Sequence, residues 1–180
     1  MNDDDSITPL AGPAPIPVTA PPVSDADIRQ WLVQARDGQR RGALHEAQAR
    51  CRRILAVRPR HTEALNLLGT LLLQQGQPAL AEQMVRQAIH SALGNATAYA
   101  NLGATLVAQH RHEEAITAFS QAIRLRADDA DVHIQLGDAL RELNRLPEAV
   151  AAWQQASAWH PSDPELDYRL GGAVAELGQP

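Results

Sequence analysis

A period of 34 residues constrains this chain more than any other feature. Four segments, 28–61, 62–95, 96–129 and 130–163, align without a gap, and a fifth begins at 164 and stops halfway. Self-similarity at a fixed period of this length is the signature of stacked helix pairs, each unable to bury its apolar face without its neighbours. The expected product is a binding surface, and the period alone does not say what it binds.

Composition agrees. Hydrophobic residues make up 44 % of the chain but aromatic ones only 3 %, so the core has to be built from Ala, Leu, Val and Ile, which suit closely packed helices better than a sandwich or barrel. Ala, Leu, Gln, Arg and Glu, all good helix formers, dominate residues 28–180. There is no run of 18 apolar residues, so no membrane span is expected. The opening Met1-Asn2-Asp3-Asp4-Asp5 is acidic where a secretory signal would be basic, and no apolar stretch follows it; a cytoplasmic location is expected. Cys51 is the only cysteine, which excludes an internal disulfide and a thiolate cluster.

The net charge of −5 hides an asymmetry: residues 29–60 carry nine Arg against Asp37 and Glu46, whereas residues 61–180 carry seven Arg against fourteen acids. A basic first repeat could dock an acidic partner or nucleic acid. The chain has no Lys and no aromatic interleaving on which bases could stack. Nucleic acid is therefore not the expected partner, and neutralisation of the acidic tail or of later repeats is the simpler reading.

Residues 1–24 contain six prolines and little that could form a core, and they are expected to be a disordered, Pro-rich acidic tail. Ser24-Asp25-Ala26-Asp27 then supplies an N-cap with acids in the first turn. Beyond it, over residues 25–180, the pattern predicts two helices per period: first helices near 25–39, 62–75, 96–109 and 130–143, second helices near 43–57, 78–91, 112–125 and 146–159. Turn signals separate them at Gly42, Gly76-Gln77-Pro78, His110-Arg111-His112 and Asn144-Arg145-Leu146-Pro147.

The same residues return at fixed positions within the period. The seventh and eighth are Leu68-Gly69, Leu102-Gly103 and Leu136-Gly137, and again Leu170-Gly171. The twentieth is Ala47, Ala81, Ala115 and Ala149, and the twenty-fourth is Cys51, Val85, Phe119 and Trp153. Small residues at the eighth and twentieth positions are expected to face each other so that the two axes approach closely, with larger residues at the fourth, eleventh and twenty-fourth filling the space between pairs.

Over residues 28–180 this pattern resembles the tetratricopeptide repeat family. The resemblance implies an all-α, right-handed superhelical solenoid of helix-turn-helix repeats, here about four repeats plus one terminal helix (the partial repeat 164–180). The first repeat departs from the pattern with Gln34-Ala35 and Gly38, as an atypical terminal repeat would. At the other end Gly178-Gln179-Pro180 echoes Gly76-Gln77-Pro78, where a second helix starts. Helix 164–177 is then either a solvating cap or the front half of a pair in a longer protein, and the echo tips the reading towards the longer protein.

No catalytic constellation is legible. His110 and His112 lie beside Glu113 and Glu114 in a turn and are read as solvated; His133 and Cys51 sit at packing positions and are read as structural. There is no phosphate-binding glycine loop and no Gly-x-Ser-x-Gly elbow. No cofactor or metal is expected.

The resemblance implies instead that first helices line a concave groove that holds extended partner segments. Inner positions carry Asn66, Asn101, Gln135, Asp138, Arg141, Tyr168 and Arg169, the candidate peptide-binding residues. Amides both donate and accept, so Asn66, Asn101 and Gln135 could hold a peptide backbone without reading its side chains. Asn101-Leu102-Gly103 is similar to the inner-face Asn of arrays attached to protein-glycosylating enzymes. The expectation is a non-catalytic interaction module for a protein or peptide partner. The alternative is the N-terminal substrate-recruiting region of a larger bacterial enzyme (glycosyltransferase, methyltransferase, sulfotransferase or hydroxylase). Self-association through the terminal helix is a third reading.

Overall fold

The computed structural model describes residues 23–161 and 163–178. The tail expected at 1–24 lies outside them except for Val23 and Ser24. Val23 packs on the cluster of Ile28, Trp31 and Ile54, and Ser24 forms a capping box with Asp27.

Among the described residues there are nine helices and no strands. They are α1 (Asp25–Arg40), α2 (Leu44–Val57), α3 (Thr62–Gln74), α4 (Pro78–Ser91), α5 (Ala96–Val107), α6 (His112–Leu125), α7 (Ala130–Glu142), α8 (Leu146–Ser157) and α9 (Pro164–Leu177). Each helix packs on its immediate neighbours in the chain, and α3 also touches α1 and α5, as in a one-dimensional stack.

Local chemistry explains where each helix begins. First helices after α1 start at a side-chain cap: His61 Nδ1 accepts from the Ala64 amide at 3.3 Å, Asn95 Oδ1 from Ala98 at 3.1 Å and Asp129 Oδ1 from Val132 at 3.3 Å. Second helices have no such cap. They follow a tight reversal at the fifteenth position, where Gly42, Gly76, His110 and Asn144 all have φ between 57° and 75°. The next amide folds back on the end of the first helix: Gln77, Arg111 and Arg145 donate to the carbonyls of Leu72, Leu106 and Leu140 at 2.9, 2.9 and 3.0 Å. Glycine adopts this left-handed backbone freely, whereas His110 does so against a steric cost.

Packing inside each pair differs from the sequence expectation in one respect. The alanines at the twentieth position are fully buried, but the side chain that closes over each glycine comes from the twenty-fourth position. A Cβ built on Gly69 would lie 2.6 Å from Val85 Cγ2, on Gly103 2.5 Å from Phe119 Cδ1, and on Gly137 2.5 Å from Trp153 Cδ1. The larger residue thus also fills its own pair, because the missing Cβ leaves room for it directly over the first helix, while Phe119 clusters with Val132 and Trp153 with Leu166 of the following repeats. Size is traded along the array, with Ala35 beside Cys51 in the first repeat and glycine beside Val, Phe or Trp in the next three.

Between pairs, the third, seventh and tenth positions of first helices meet the preceding repeat. They are apolar or small in α3 (Ala64, Leu68, Leu71), α7 (Val132, Leu136, Ala139) and α9 (Leu166, Leu170, Ala173). In α1 they are Gln30, Gln34 and Asp37, a polar end face such as a terminal repeat needs. Charged bridges cross the joints as well. Glu82 accepts from Arg111 and Gln109 of the next repeat, both at 2.8 Å, and Arg36 pairs with Glu63.

Candidate functional site

First helices present two separate clefts and not one continuous ladder. The first, about 380 Å³, is lined by Asn66, Asn101, Asn95, Thr62, Thr70 and Thr97 over an apolar floor at Leu67, with the Arg36–Glu63 ion pair at one side. Asn66 is only 7 % exposed, and its Oδ1 has no hydrogen-bond partner among the described residues. Thr70 and Thr105 return their hydroxyls to the backbone carbonyls of Asn66 and Asn101, at 3.1 and 2.7 Å. Those bonds leave both side-chain amides uncommitted.

The second cleft, about 450 Å³, lies one repeat further on. It brings together Gln135, Asp138 and Arg141 of α7 with His110 of the preceding turn and His112 at the start of α6. His112 is half-buried, and its Nδ1 has no partner among the described residues. Asp138 accepts from Arg169 Nε at 3.0 Å, and Arg169 also reaches Glu165 at 3.3 Å. Arg169 is therefore committed to holding α9 against α7. Tyr168 is 77 % exposed and lines neither cleft.

Of the seven residues singled out in the sequence, the structure groups Asn66 with Asn101 and Gln135 with Asp138 and Arg141. It takes Arg169 into an ion pair and leaves Tyr168 alone. Sequence reasoning passes over Thr62, Thr97, Asn95 and the two histidines. The histidines carry a signal, since they sit at the turn that abuts the inner face, but side-chain type alone points to metal ligation and not to a groove. No group of three His, Cys, Asp or Glu that could hold a metal occurs among the described residues. His133 is buried, with Nε2 3.0 Å from the Ala127 carbonyl. Cys51 is buried as well, and that burial pushes its thiol up to about 12, out of the range of a nucleophile.

The apolar surface between α6 and α8, where Ile116, Ile123, Leu136 and Ala152 border a cleft of about 530 Å³, is larger than either groove cleft. Ser120, His133, Arg145, Glu148 and Gln155 also line it, and of these Arg145 and Glu148 are paired with each other.

Paired helices stacked at a constant period define an α-helical repeat solenoid. Two sequence profiles, both described as tetratricopeptide repeat, match the chain, one over residues 106–169 and the other over 32–96 and 67–132. The chain belongs to the tetratricopeptide repeat family.

Among solved structures it is similar to MamA (TM-score 0.73, 21 % identity, 84 % of this chain and 82 % of that one). It is also similar to YrrB, described as a TPR protein with an unusual peptide-binding site (0.67, 20 %, 82 % and 76 %). A third likeness is to the Thermobaculum terrenum O-GlcNAc transferase, at 0.70 and 32 % over 74 % of this chain but 26 % of that one. No curated protein sequence matches. No described helix is long and apolar enough to cross a membrane.

Proposed function

We propose that the chain is a non-catalytic interaction module that holds an extended segment of a partner protein along its first helices. The observation that supports this most is Asn66. A buried carbonyl oxygen without a donor costs about 1–3 kcal/mol, and rotation of the Asn66 side chain, which lines the cleft, would bring its unpartnered Oδ1 to an N–H supplied by a ligand. An extended polypeptide carries such donors at every residue. Asn101 across the same cleft and Gln135 in the next can each give and take a hydrogen bond with a main chain. Arg141 and His112 add selectivity at the second cleft. The likeness to YrrB, whose description includes a peptide-binding site, points the same way.

A partner isolated by pull-down tests the reading. The double variant Asn101→Ala with Gln135→Ala should weaken that partner by at least about tenfold, some 1.4 kcal/mol, at unchanged helicity. Equal binding by parent and double variant rules the groove out.

A second reading has its own support in the 32 % identity to a stretch covering 26 % of a glycosyl-transferring enzyme. In it the groove recruits substrate for a catalytic domain, and of the four enzyme classes expected from the sequence this similarity favours glycosyl transfer. The coding frame after Pro180 decides: a stop codon there removes this reading, and an open frame into a catalytic domain establishes it.

A further inference from the structure

We infer that the basic cleft at the turn between α1 and α2 is a receptor for an acidic stretch of polypeptide, and that its occupant is the chain's own Asp3-Asp4-Asp5.

Nine arginines fall between residues 29 and 60, and they differ in what already engages them. Arg36 pairs with Glu63, Arg58 pairs with Asp25, and Arg53 lies 4.0 Å from the ring centroid of Trp31. The cleft, about 450 Å³, is lined by Gln34, Asp37, Arg40, Arg41, Glu46 and Arg50. Asp37 holds Arg40 at 3.0 Å, whereas Glu46 approaches Arg41 only to 3.9 Å. Arg50 is half-buried and forms no ion pair with a described residue. Three guanidinium groups against two carboxylates leave the cleft positive.

The cleft calls for a hydrogen-bond donor as well as for negative charge. Gln34 Oε1 is enclosed and has no hydrogen-bond partner among the described residues. Rotation of the Gln34 side chain, which lines the cleft, would bring that oxygen to an N–H. A bare anion such as sulfate supplies charge without a donor. A run of aspartates supplies both, with a main-chain N–H beside each carboxylate. The forked donors of arginine also match the two oxygens of a carboxylate.

Such a run lies within reach. Residues 6–22 separate Asp5 from Val23, which packs on Ile28, Trp31 and Ile54 beside the start of α1. The start of α1 stands about 24 Å from Arg40 at 1.5 Å per helical residue. Residues 6–22 can span up to about 53 Å at 3.1 Å each. A tether of that kind holds the acids near the cleft at roughly millimolar concentration, so an attraction of millimolar strength fills it half the time. An acidic segment of another protein at micromolar concentration competes at a disadvantage of about a thousandfold. This decides the occupant, because exposed ion pairs are individually weak.

The inference does not rest on the groove reading. Its test is a nitroxide label on Asn2→Cys in the isotope-labelled full chain; Cys51 is buried and serves as the unlabelled control in the parent. At low salt the resonances of Gln34, Asp37 and Arg50 should relax faster, and those of α6 to α9 should not. Replacing Asp3, Asp4 and Asp5 by Asn should lower the effect at Gln34 at least about threefold, and Arg50→Gln should do the same. Arg52→Gln, exposed on α2 and outside the cleft, should leave it unchanged. Raising the ionic strength from about 0.01 to about 1 M shortens the screening length from about 30 to about 3 Å and should abolish the effect.

The three Asp→Asn changes touch no described residue, so their outcome does not depend on the fold of the array. No local effect at low salt, or an effect that survives those changes, would overturn the proposal. An effect that survives Arg50→Gln would overturn it as well. So would its transfer to isotope-labelled chains mixed with spin-labelled, isotopically unlabelled ones, because the occupant is then a second copy of this chain.

Discussion

The indole of Trp153 occupies the space that a side chain at Gly137 would need, and its Nε1–H donates to the Ile134 carbonyl at 3.3 Å. The same residue thus fills the pair and satisfies its own polar atom against the first helix. Phe119 and Val85 play the space-filling part over Gly103 and Gly69 without a polar atom to satisfy.

Gly137→Ala is therefore expected to destabilise the array by about 1–3 kcal/mol, the range for overpacking a tight joint. Gly171→Ala, where the space is open, should instead stabilise α9 by up to about 1 kcal/mol through helix propensity. Urea unfolding of the two variants beside the parent checks the contrast. A stabilising Gly137→Ala beside a destabilising Gly171→Ala would refute the packing account.

At the fifteenth position, His110 holds φ at 57° where two other repeats use glycine. His110→Gly should raise stability by roughly 1 kcal/mol, because the left-handed backbone strains a residue with a Cβ. Asn144→Gly should give less, since Asn tolerates that region better. Thermal denaturation of both variants ranks them.

Asn66 separates stability from function. Replacing it by Leu removes an unpartnered buried acceptor, so stability should hold within about 0.5 kcal/mol or rise. Partner binding should fall sharply in the same variant. A loss of stability with intact binding would mark Asn66 as a structural residue.

Glu82 carries the pH dependence of the joint between the second and third repeats. Burial alone would raise its carboxyl, but hydrogen bonds from Gln109 and Arg86 and the charges of Arg111 and Arg86 outweigh that and hold it below the ordinary carboxylate range. A depressed folded-state pKa means that the contribution is complete above the unfolded carboxylate value and is lost as pH falls through the folded one. Glu82→Gln should therefore lower stability at neutral pH and narrow its gap to the parent under acid. Equilibrium unfolding from pH 7 downwards measures that gap, and a constant difference at every pH would contradict the assignment.

Much of the architecture was legible in the residues themselves. The period, the cap at Ser24, the turn signals and the alternation of small and large positions located eight helices within about two residues, and α9 began where the fifth segment does. Those features are local, or repeat at one spacing, so they need no knowledge of how pairs stack. The atypical first repeat was visible at Gln34-Ala35 and Gly38 for the same reason, though the polar face made by Gln30, Gln34 and Asp37 was not.

What tertiary structure alone decided is which side chain meets which across the joints. Spacing marked Gly137 and Ala149 as small, but the helix crossing chose Trp153 to cover the glycine. A list of inner positions suggested one ladder of amides; the folded chain groups Asn66 with Asn101 and Gln135 with Asp138 and Arg141, ties Arg169 to Asp138 and leaves Tyr168 exposed. Those groupings depend on packing contacts between residues far apart in the chain, and no short stretch of sequence carries them.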